Sequence, residues 1–278
     1  MKFLRLVLGL ALLGTLALAA IFAPLGESWL GHDPFAPDLF KRHAPASTEH
    51  PLGTDELGRD LLLRLLHGAR ISLAVGLATA LAAALLGTAI GLLAAWRGGL
   101  LDAVLMRLAD GMLALPALPV LVVLAAADTD RIGLPRGEPL SDVLRIVAIL
   151  TLFGWVGVAR LARAAALSVL ARDYVRAARA LGASEARVLL RHVVPNIMGP
   201  VAVATALAVA GAILAESTLS FLGLGIAPPA ASWGNMLSNA QDLVFSAPWA
   251  AVWPGLMILA AVAGCTLVAD GLRKRLAP

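Results

Sequence analysis

Residues able to carry out chemistry are few in this chain, and the histidines among them are unevenly placed. Four of the five histidines lie before residue 70, and they are His32, His43, His50 and His67. Histidine is a common metal ligand, so a metal site in this stretch is one hypothesis, but the spacing matches no metal-binding motif. We therefore expect solvated loop histidines and no bound metal.

The motifs of nucleotide binding and of hydrolysis are absent from the sequence. A P-loop needs Gly-Lys followed by Ser or Thr, whereas the three lysines follow Met1, Phe40 and Arg273. The motifs H-E-x-x-H, C-x-x-C and G-x-S-x-G do not occur, and the single Cys265 excludes an internal disulfide. We therefore expect the chain not to be an enzyme and to bind no cofactor itself.

Apolar residues dominate the composition. They make up 60% of the 278 residues, charged residues make up 14%, and the mean hydropathy is +0.86. Soluble domains contain about 45–50% apolar residues. Apolar runs of about 20 residues, rich in Leu and Ala, favour membrane-spanning helices over a barrel. The predicted fold is an all-α polytopic membrane protein with six transmembrane helices, at about 6–24, 71–95, 104–126, 143–161, 197–218 and 249–269.

The basic residues predict the orientation of these spans. The formal net charge of +4 would point to nucleic acid in a soluble protein, but here most of the 22 basic residues fall in segments that are cytoplasmic if both termini are inside. Arg59, Arg64 and Arg70 do not fit, because they lie in the long first outer loop, where acidic neighbours offset them. We predict cytoplasmic N and C termini, lipid as a neighbour and no nucleic acid. Arg131 is placed in another outer loop.

The chain divides into two predicted parts. Residues 1–70 form an N-terminal anchor span and an outer loop, of which 55–70 is an amphipathic helix lying at the membrane interface. The anchor could also be a cleaved signal peptide, but its apolar core of about 18 residues is longer than the usual signal of about 7–15. Residues 71–278 form the transmembrane domain.

The stretch DYVRAARALGASEARVLLRHVVPN, residues 173–196, separates the fourth and fifth predicted spans. Asp173 can cap a first helix, and Gly182 accepts the left-handed conformation that ends it. Ser184 then caps a second helix, which Pro195 ends as it opens the fifth span. The pattern predicts a cytoplasmic helix-turn-helix at about 172–195.

Glu216 lies near the outer end of the fifth predicted span, where an ionisable group is a functional candidate. The alternative is an interfacial carboxylate bonded to Ser217 and Thr218. Gly223 and Gly225 are expected to supply a bend in the segment that follows. The candidates for the translocation path or gate are Glu216, Ser217, Phe221, Gly223 and Gly225.

Two smaller patterns predict packing inside the membrane. Gly87 and Gly91 form G-x-x-x-G, a face that allows close approach of another span or of a partner chain. Arg107 and Asp110 are neighbours on one helix and could pair, which is a structural role.

The 173–196 stretch resembles the "EAA" coupling loop of ABC importer permeases, in which E-A-A, three residues, Gly, nine residues and I-x-L-P recur. This chain has R-A-A at 176–178, Gly182 and H-V-V-P at 192–195, so the spacing is kept while Arg176 replaces the first Glu. The resemblance implies an ATPase-coupling surface made of Arg176, Ala177, Ala178, Leu181, Gly182, Ala183 and Pro195.

Three further stretches resemble dipeptide, oligopeptide and nickel permeases. They are HPLGTDELGRDLLLRLLHGARISL (50–73), ESTLSFLGLGIAPPAASWGNML (216–237) and VADGLRKRLAP (268–278). The chain is thus similar to the second, C-type permease subunit of a peptide/nickel-class ABC importer.

That resemblance implies a subunit that forms half of the translocation pathway in the bacterial cytoplasmic (inner) membrane. Its implied partners are a homologous second permease, two ATP-binding cassette ATPases that use ATP and Mg, and an extracytoplasmic solute-binding protein. Di- or oligopeptides are the expected cargo, with nickel or glutathione-like solutes as alternatives. The rival hypothesis is a self-sufficient channel or secondary carrier. The sequence does not support it, because it has neither an inverted repeat nor paired charges within the spans.

Overall fold

The computed structural model describes residues 2–127, 136–238 and 247–276, and the regular structure of these residues is helical. Arg131, the 239–246 part of the connection before the last span and the final two residues of the C-terminal motif lie outside the described residues. The α-helices are α1 (Lys2–Ile21), α2 (Ala23–Leu30), α3 (Leu61–Arg97), α4 (Gly99–Ala114), α5 (Ala117–Ala126), α6 (Pro139–Leu170), α7 (Asp173–Ala180), α8 (Glu185–Val188), α9 (Val194–Phe221) and α10 (Trp249–Leu276).

Five of the described helical segments are long and apolar enough to cross a membrane, and there are six if one bent pair counts as a span. The bent pair is α4 and α5, which meet at 86°. The prediction of one span over 104–126 is therefore wrong as a straight helix. Pro116 causes the break, since it has no N–H to donate and forces Leu115 into an extended conformation, with ψ of 139°.

Helix α3 is longer than predicted. It runs unbroken for 37 residues, about 55 Å at 1.5 Å per residue, against a hydrocarbon core of about 30 Å. Asp60 caps it by accepting a hydrogen bond from the N–H of Leu63 at 2.9 Å. The separate interfacial helix predicted at 55–70 is wrong, because residues from Leu61 onward are the first turns of the continuous helix α3, and Leu61 and Leu63 are buried in the bundle.

The long helices pack closely, and small residues make this possible. A Cβ atom on Gly87 would lie 2.5 Å from the carbonyl oxygen of Trp155, and one on Gly91 would lie 2.3 Å from that of Ala159. The predicted G-x-x-x-G face is confirmed as a contact with another span, α6. Helix α1 lies against α10, where a Cβ on Gly9 would meet the Gly264 carbonyl oxygen at 2.8 Å.

Ion pairs join α4 to α6. Asp102 accepts two hydrogen bonds from Arg163, and Asp110 lies 3.5 Å from Arg160. The predicted pair of Arg107 with Asp110 is wrong, because α4 lies beside α6 and the partner of Asp110 comes across that contact.

The bundle has two distinct ends. Residues 31–60 and 222–238 cover one, called here the loop end. The other, called the knuckle end, carries the α3–α4 turn and residues 172–195, which are called the knuckle.

Candidate functional site

The first helix of the knuckle, α7, ends in a glycine turn. Gly182 has φ of +84°, as predicted for the residue that ends this helix. Its N–H donates to the Arg179 carbonyl at 2.9 Å, and the Ala183 N–H donates to the Ala178 carbonyl at 3.0 Å. These two hydrogen bonds together form a Schellman motif. The cap at the other end is Arg172 rather than the predicted Asp173, which is the first helical residue.

A charged pair fixes the second helix of the knuckle against the first. Both nitrogens of the Arg179 fork lie 2.9 Å from the carboxylate oxygens of Glu185, which is the bidentate arrangement that defines orientation best. Ser184 caps α8 as predicted, with its Oγ accepting from the Arg187 N–H at 3.4 Å. The two short helices are therefore tied by the turn and by a side-chain bridge.

The second helix does not end at Pro195, contrary to the prediction. The segment Glu185–Phe221 is continuous, because residues Leu189–Val193 form a π-helix and the Val194 N–H donates to the Leu189 carbonyl five residues back. The wider turn accommodates a proline that has no N–H. Helix α8 and helix α9 are thus joined without a break in the helical backbone.

The inner face of the knuckle is anchored in the bundle by apolar side chains. Val175, Val188 and Val193 are buried in one cluster with Ala166 of α6 and Ile197 of α9. Val188 and Val193 thus face the bundle, whereas Arg187 and Arg191 are exposed on the other side. The knuckle is therefore packed against both α6 and α9.

The tip of the knuckle is exposed. Leu181 is 89% exposed, and nothing lies within 4 Å of the place where a Gly182 side chain would begin. Arg176 pairs with Asp173 on the same helix and faces solvent. Ala178 and Ala183 are half-buried beneath this tip. The tip therefore presents an apolar side chain at the surface of the chain.

A polar cluster lies at the loop end, centred on Glu216. This carboxylate is fully buried and accepts hydrogen bonds from Ser220 at 2.7 Å, Ser72 at 3.0 Å and Ser217 at 3.5 Å. The Ser72 hydroxyl in turn accepts the backbone N–H of Trp233 at 3.2 Å. Glu216 therefore joins α3, α9 and the 222–238 segment.

The hydroxyl groups next to Glu216 differ in their roles. The alternative interpretation of Glu216 named both Ser217 and Thr218, but Thr218 bonds the Leu214 carbonyl instead. Among the other path candidates, Phe221 is half-buried and Gly223 is exposed. A role for these residues in translocation stays a prediction.

The 222–238 segment is held over the bundle by groups that the sequence analysis did not single out. Gly223, with φ of +75°, turns the chain after α9 as expected. A Cβ on Gly225 would lie 2.1 Å from the Ser220 hydroxyl, so this glycine is needed for close approach. Asp142 accepts the Ala227 N–H at 3.0 Å, and Arg145 donates to the Gly225 carbonyl at 3.0 Å. The sequence signal that could have indicated these contacts is the pair Asp142 and Arg145, three residues apart in an otherwise apolar helix.

Comparison with known proteins decides the family. Residues 87–278 match the family described as binding-protein-dependent transport system inner membrane component. The chain belongs to this family. It is a permease subunit of the ABC importer type and a multi-pass protein of the bacterial inner membrane. Such permeases are not catalytic themselves, and ATP is hydrolysed by other subunits.

Individual relatives cover almost all of the permease. A putative peptide transport system permease protein of Brucella suis is 40% identical over 272 residues, which are 98% of this chain and 86% of the relative. The oligopeptide transport system permease protein OppC of Bacillus subtilis is 37% identical over 272 residues, 98% of this chain and 85% of the relative. The di/tripeptide transport system permease protein DppC of Pseudomonas aeruginosa is 43% identical over 227 residues, which are 82% of this chain and 71% of the relative.

The histidines of the permease are not all solvated, which corrects the expectation for this loop. His50 is buried and lies 2.9 Å from Asp60, and His67 contacts Glu27. In the described ranges, no group of three or more His, Cys, Asp or Glu residues could hold a metal. His50 thus ties the loop to the start of α3, and His67 ties α3 to α2.

Buried charges in the same loop are matched. Asp55 lies 2.7 Å from Arg59 and 3.2 Å from Arg64, so both buried guanidinium groups have a carboxylate partner. On the surface, the hydrogen bond from Lys41 to Glu49 raises the pKa of Lys41 and lowers the pKa of Glu49. That exposed pair adds little to stability.

Proposed function

We propose that this chain is one of two permease subunits of an ATP-driven, binding-protein-dependent importer of di- or oligopeptides. The observation that carries the proposal is the knuckle: an exposed tip at Leu181 and Gly182, joined without a flexible link to two long helices. The spacing of R-A-A at 176–178, Gly182 and Pro195 supports the proposal, because it resembles the coupling loop of ABC importer permeases. The termini and the knuckle face the cytoplasm, in keeping with the basic residues of these segments.

The knuckle transmits force from two partner ATPases, which bind ATP and Mg. When the ATPases close on ATP, a groove in each carries the tip sideways. The Arg179–Glu185 bridge and the glycine turn keep α7 and α8 together, so the pair moves as a rigid body. Because Glu185–Phe221 is continuous, the displacement reaches the loop end of α9, where Glu216 joins the helix to the 222–238 segment.

This coupling gives the Glu216 cluster its role as a gate. The bonds of Glu216 to Ser72 and Ser220 hold the 222–238 segment over the bundle in this conformation. A shift of α9 relative to α3 lengthens the Ser72 bond and frees the segment. A solute-binding protein delivers the peptide on that side, and a homologous second permease supplies the other half of the path.

Peptides are the favoured cargo because the relatives compared above are named for peptide, oligopeptide and di/tripeptide transport. Nickel and glutathione-like solutes are the alternatives. A self-sufficient channel or secondary carrier has no support from the family assignment.

Replacing Gly182 by Val tests the proposal. The left-handed conformation costs a residue with a Cβ about 1–2 kcal/mol, so the turn opens and the tip moves. We expect peptide-stimulated ATP hydrolysis to persist while uptake of labelled trialanine into proteoliposomes falls. The matched control is Gly31→Val, because Gly31 also has a positive φ, +70°, and open space around it but lies at the loop end. Coupled uptake in Gly182→Val at the control's level would contradict the proposal.

A further inference from the structure

A long groove runs along the outside of the bundle between α1, α3, α9 and α10. Its main cavity has a volume of about 770 Å³. A second cavity of about 350 Å³ lies at the loop end, and the two share Ala17 and Leu73 in their walls. On α3 the main cavity extends from Leu73 to Leu92, about 28 Å along the helix axis.

The walls of this groove are apolar. On α3 they include Leu77 and Leu81, and on α9 they include Ala206 and Val209. Two hydroxyl groups also line the groove. The Thr205 hydroxyl is already bonded to the Val201 carbonyl at 2.8 Å, and the Thr88 hydroxyl has no hydrogen-bond partner among the described residues. A peptide backbone in the groove would lose its hydrogen bonds to water and find one free hydroxyl in return, so the groove suits a hydrocarbon chain rather than transported cargo.

One cation stands at the loop end of the groove. Arg70 lines the smaller cavity and is exposed. Of the residues that the structure describes, none forms an ion pair with its guanidinium. Arg59 and Arg64 differ from it, because both are paired with Asp55. Arg70 lies one turn before Leu73, at the boundary of the apolar part of α3, and we expect the phosphate layer of a bilayer at this level because the hydrocarbon core covers the apolar part of the helix.

We propose that the groove holds a phospholipid, with its phosphate on Arg70 and an acyl chain along Leu73, Leu77 and Leu81. The guanidinium fork matches phosphate oxygens bidentately, and every phospholipid carries a phosphate at this depth. A helix from a partner chain would need a carboxylate at the same level to pair with Arg70. The inference does not depend on the proposed cargo.

Photo-crosslinking in native membranes tests the site. Leu81 is replaced by p-benzoylphenylalanine in the full complex, the membranes are irradiated, and the adduct is identified by mass spectrometry. We expect an intact phospholipid on this position, and about fivefold less of it after Arg70→Gln, the loss expected for one basic residue at a membrane surface. Arg70→Lys keeps the charge and is expected to retain most of the adduct.

Two controls separate bound lipid from bulk lipid. Leu86 is also exposed on α3 but is not part of the groove. When p-benzoylphenylalanine replaces Leu86, the amount of lipid adduct should not change after Arg70→Gln. Arg42→Gln removes a distant cation of the same loop end and should leave the Leu81 adduct unchanged. The proposal is overturned by a protein chain as the Leu81 adduct, by no adduct, or by a lipid adduct that is equal in the wild type and in Arg70→Gln.

Discussion

Replacing Leu181 by Ala asks whether the knuckle tip enters a groove on another protein. The side chain is 89% exposed in the isolated chain, so its removal leaves the fold unchanged. Burying a full leucine side chain is worth about 1.5–3 kcal/mol, and the part lost on truncation to Ala is about 2 kcal/mol. We expect the dissociation constant for the ATPase subunits to rise about 30-fold, since about 1.4 kcal/mol is a factor of ten.

The assay is a titration of purified ATPase subunits onto the permease pair in nanodiscs, read by a fluorescent label on the ATPase. Leu100→Ala is the matched control: Leu100 is 81% exposed and lies at the same end of the bundle, but outside the knuckle. Thermal unfolding of each variant alone checks that the fold persists. Unchanged affinity in Leu181→Ala, or an equal loss in Leu100→Ala, would refute the docking role of the tip.

Two further substitutions test the packing that supports the site, each read by thermal unfolding in detergent. Glu216→Ala leaves the hydroxyls of Ser72 and Ser220 without their acceptor and should cost about 2–4 kcal/mol, whereas Glu216→Gln keeps an acceptor oxygen and should cost less; equal unfolding of the wild type and Glu216→Ala would contradict this. Gly91→Ala forces α3 away from α6 and should cost about 1–3 kcal/mol, while Gly157→Ala, with open space around it, should be neutral.

The features predicted well from the sequence depend on a few neighbouring residues. A left-handed glycine after a short helix is specified locally, so Gly182 was placed correctly, as was the cap at Ser184. The close contact at Gly87 and Gly91 also follows from small residues at helical spacing. Hydropathy located the helices because each needs about 20 apolar residues to cross a membrane.

The errors arose where distant parts of the chain meet or where proline acts on the backbone. Pro116 bends one predicted span, whereas Pro195 is absorbed by a π-helix, and hydropathy does not distinguish these cases. The burial of His50 depends on Asp60 and on the folded loop around them. The partners of Glu216 include Ser72, which is 144 residues away along the chain, and no local pattern predicts such a contact.

The length of α3 constrains how the gene for this protein can change. Asp60 fixes the start of the helix, Gly87 and Gly91 must face α6, and Ala95 belongs to the apolar cluster that anchors the knuckle. Each residue turns the helix by about 100°. Inserting or deleting one codon between Asp60 and Gly87 would swing a leucine into the glycine contact or turn Ala95 away from its cluster. We therefore expect related proteins to vary in length in the loops on either side of α3 and to keep the number of residues in α3 constant.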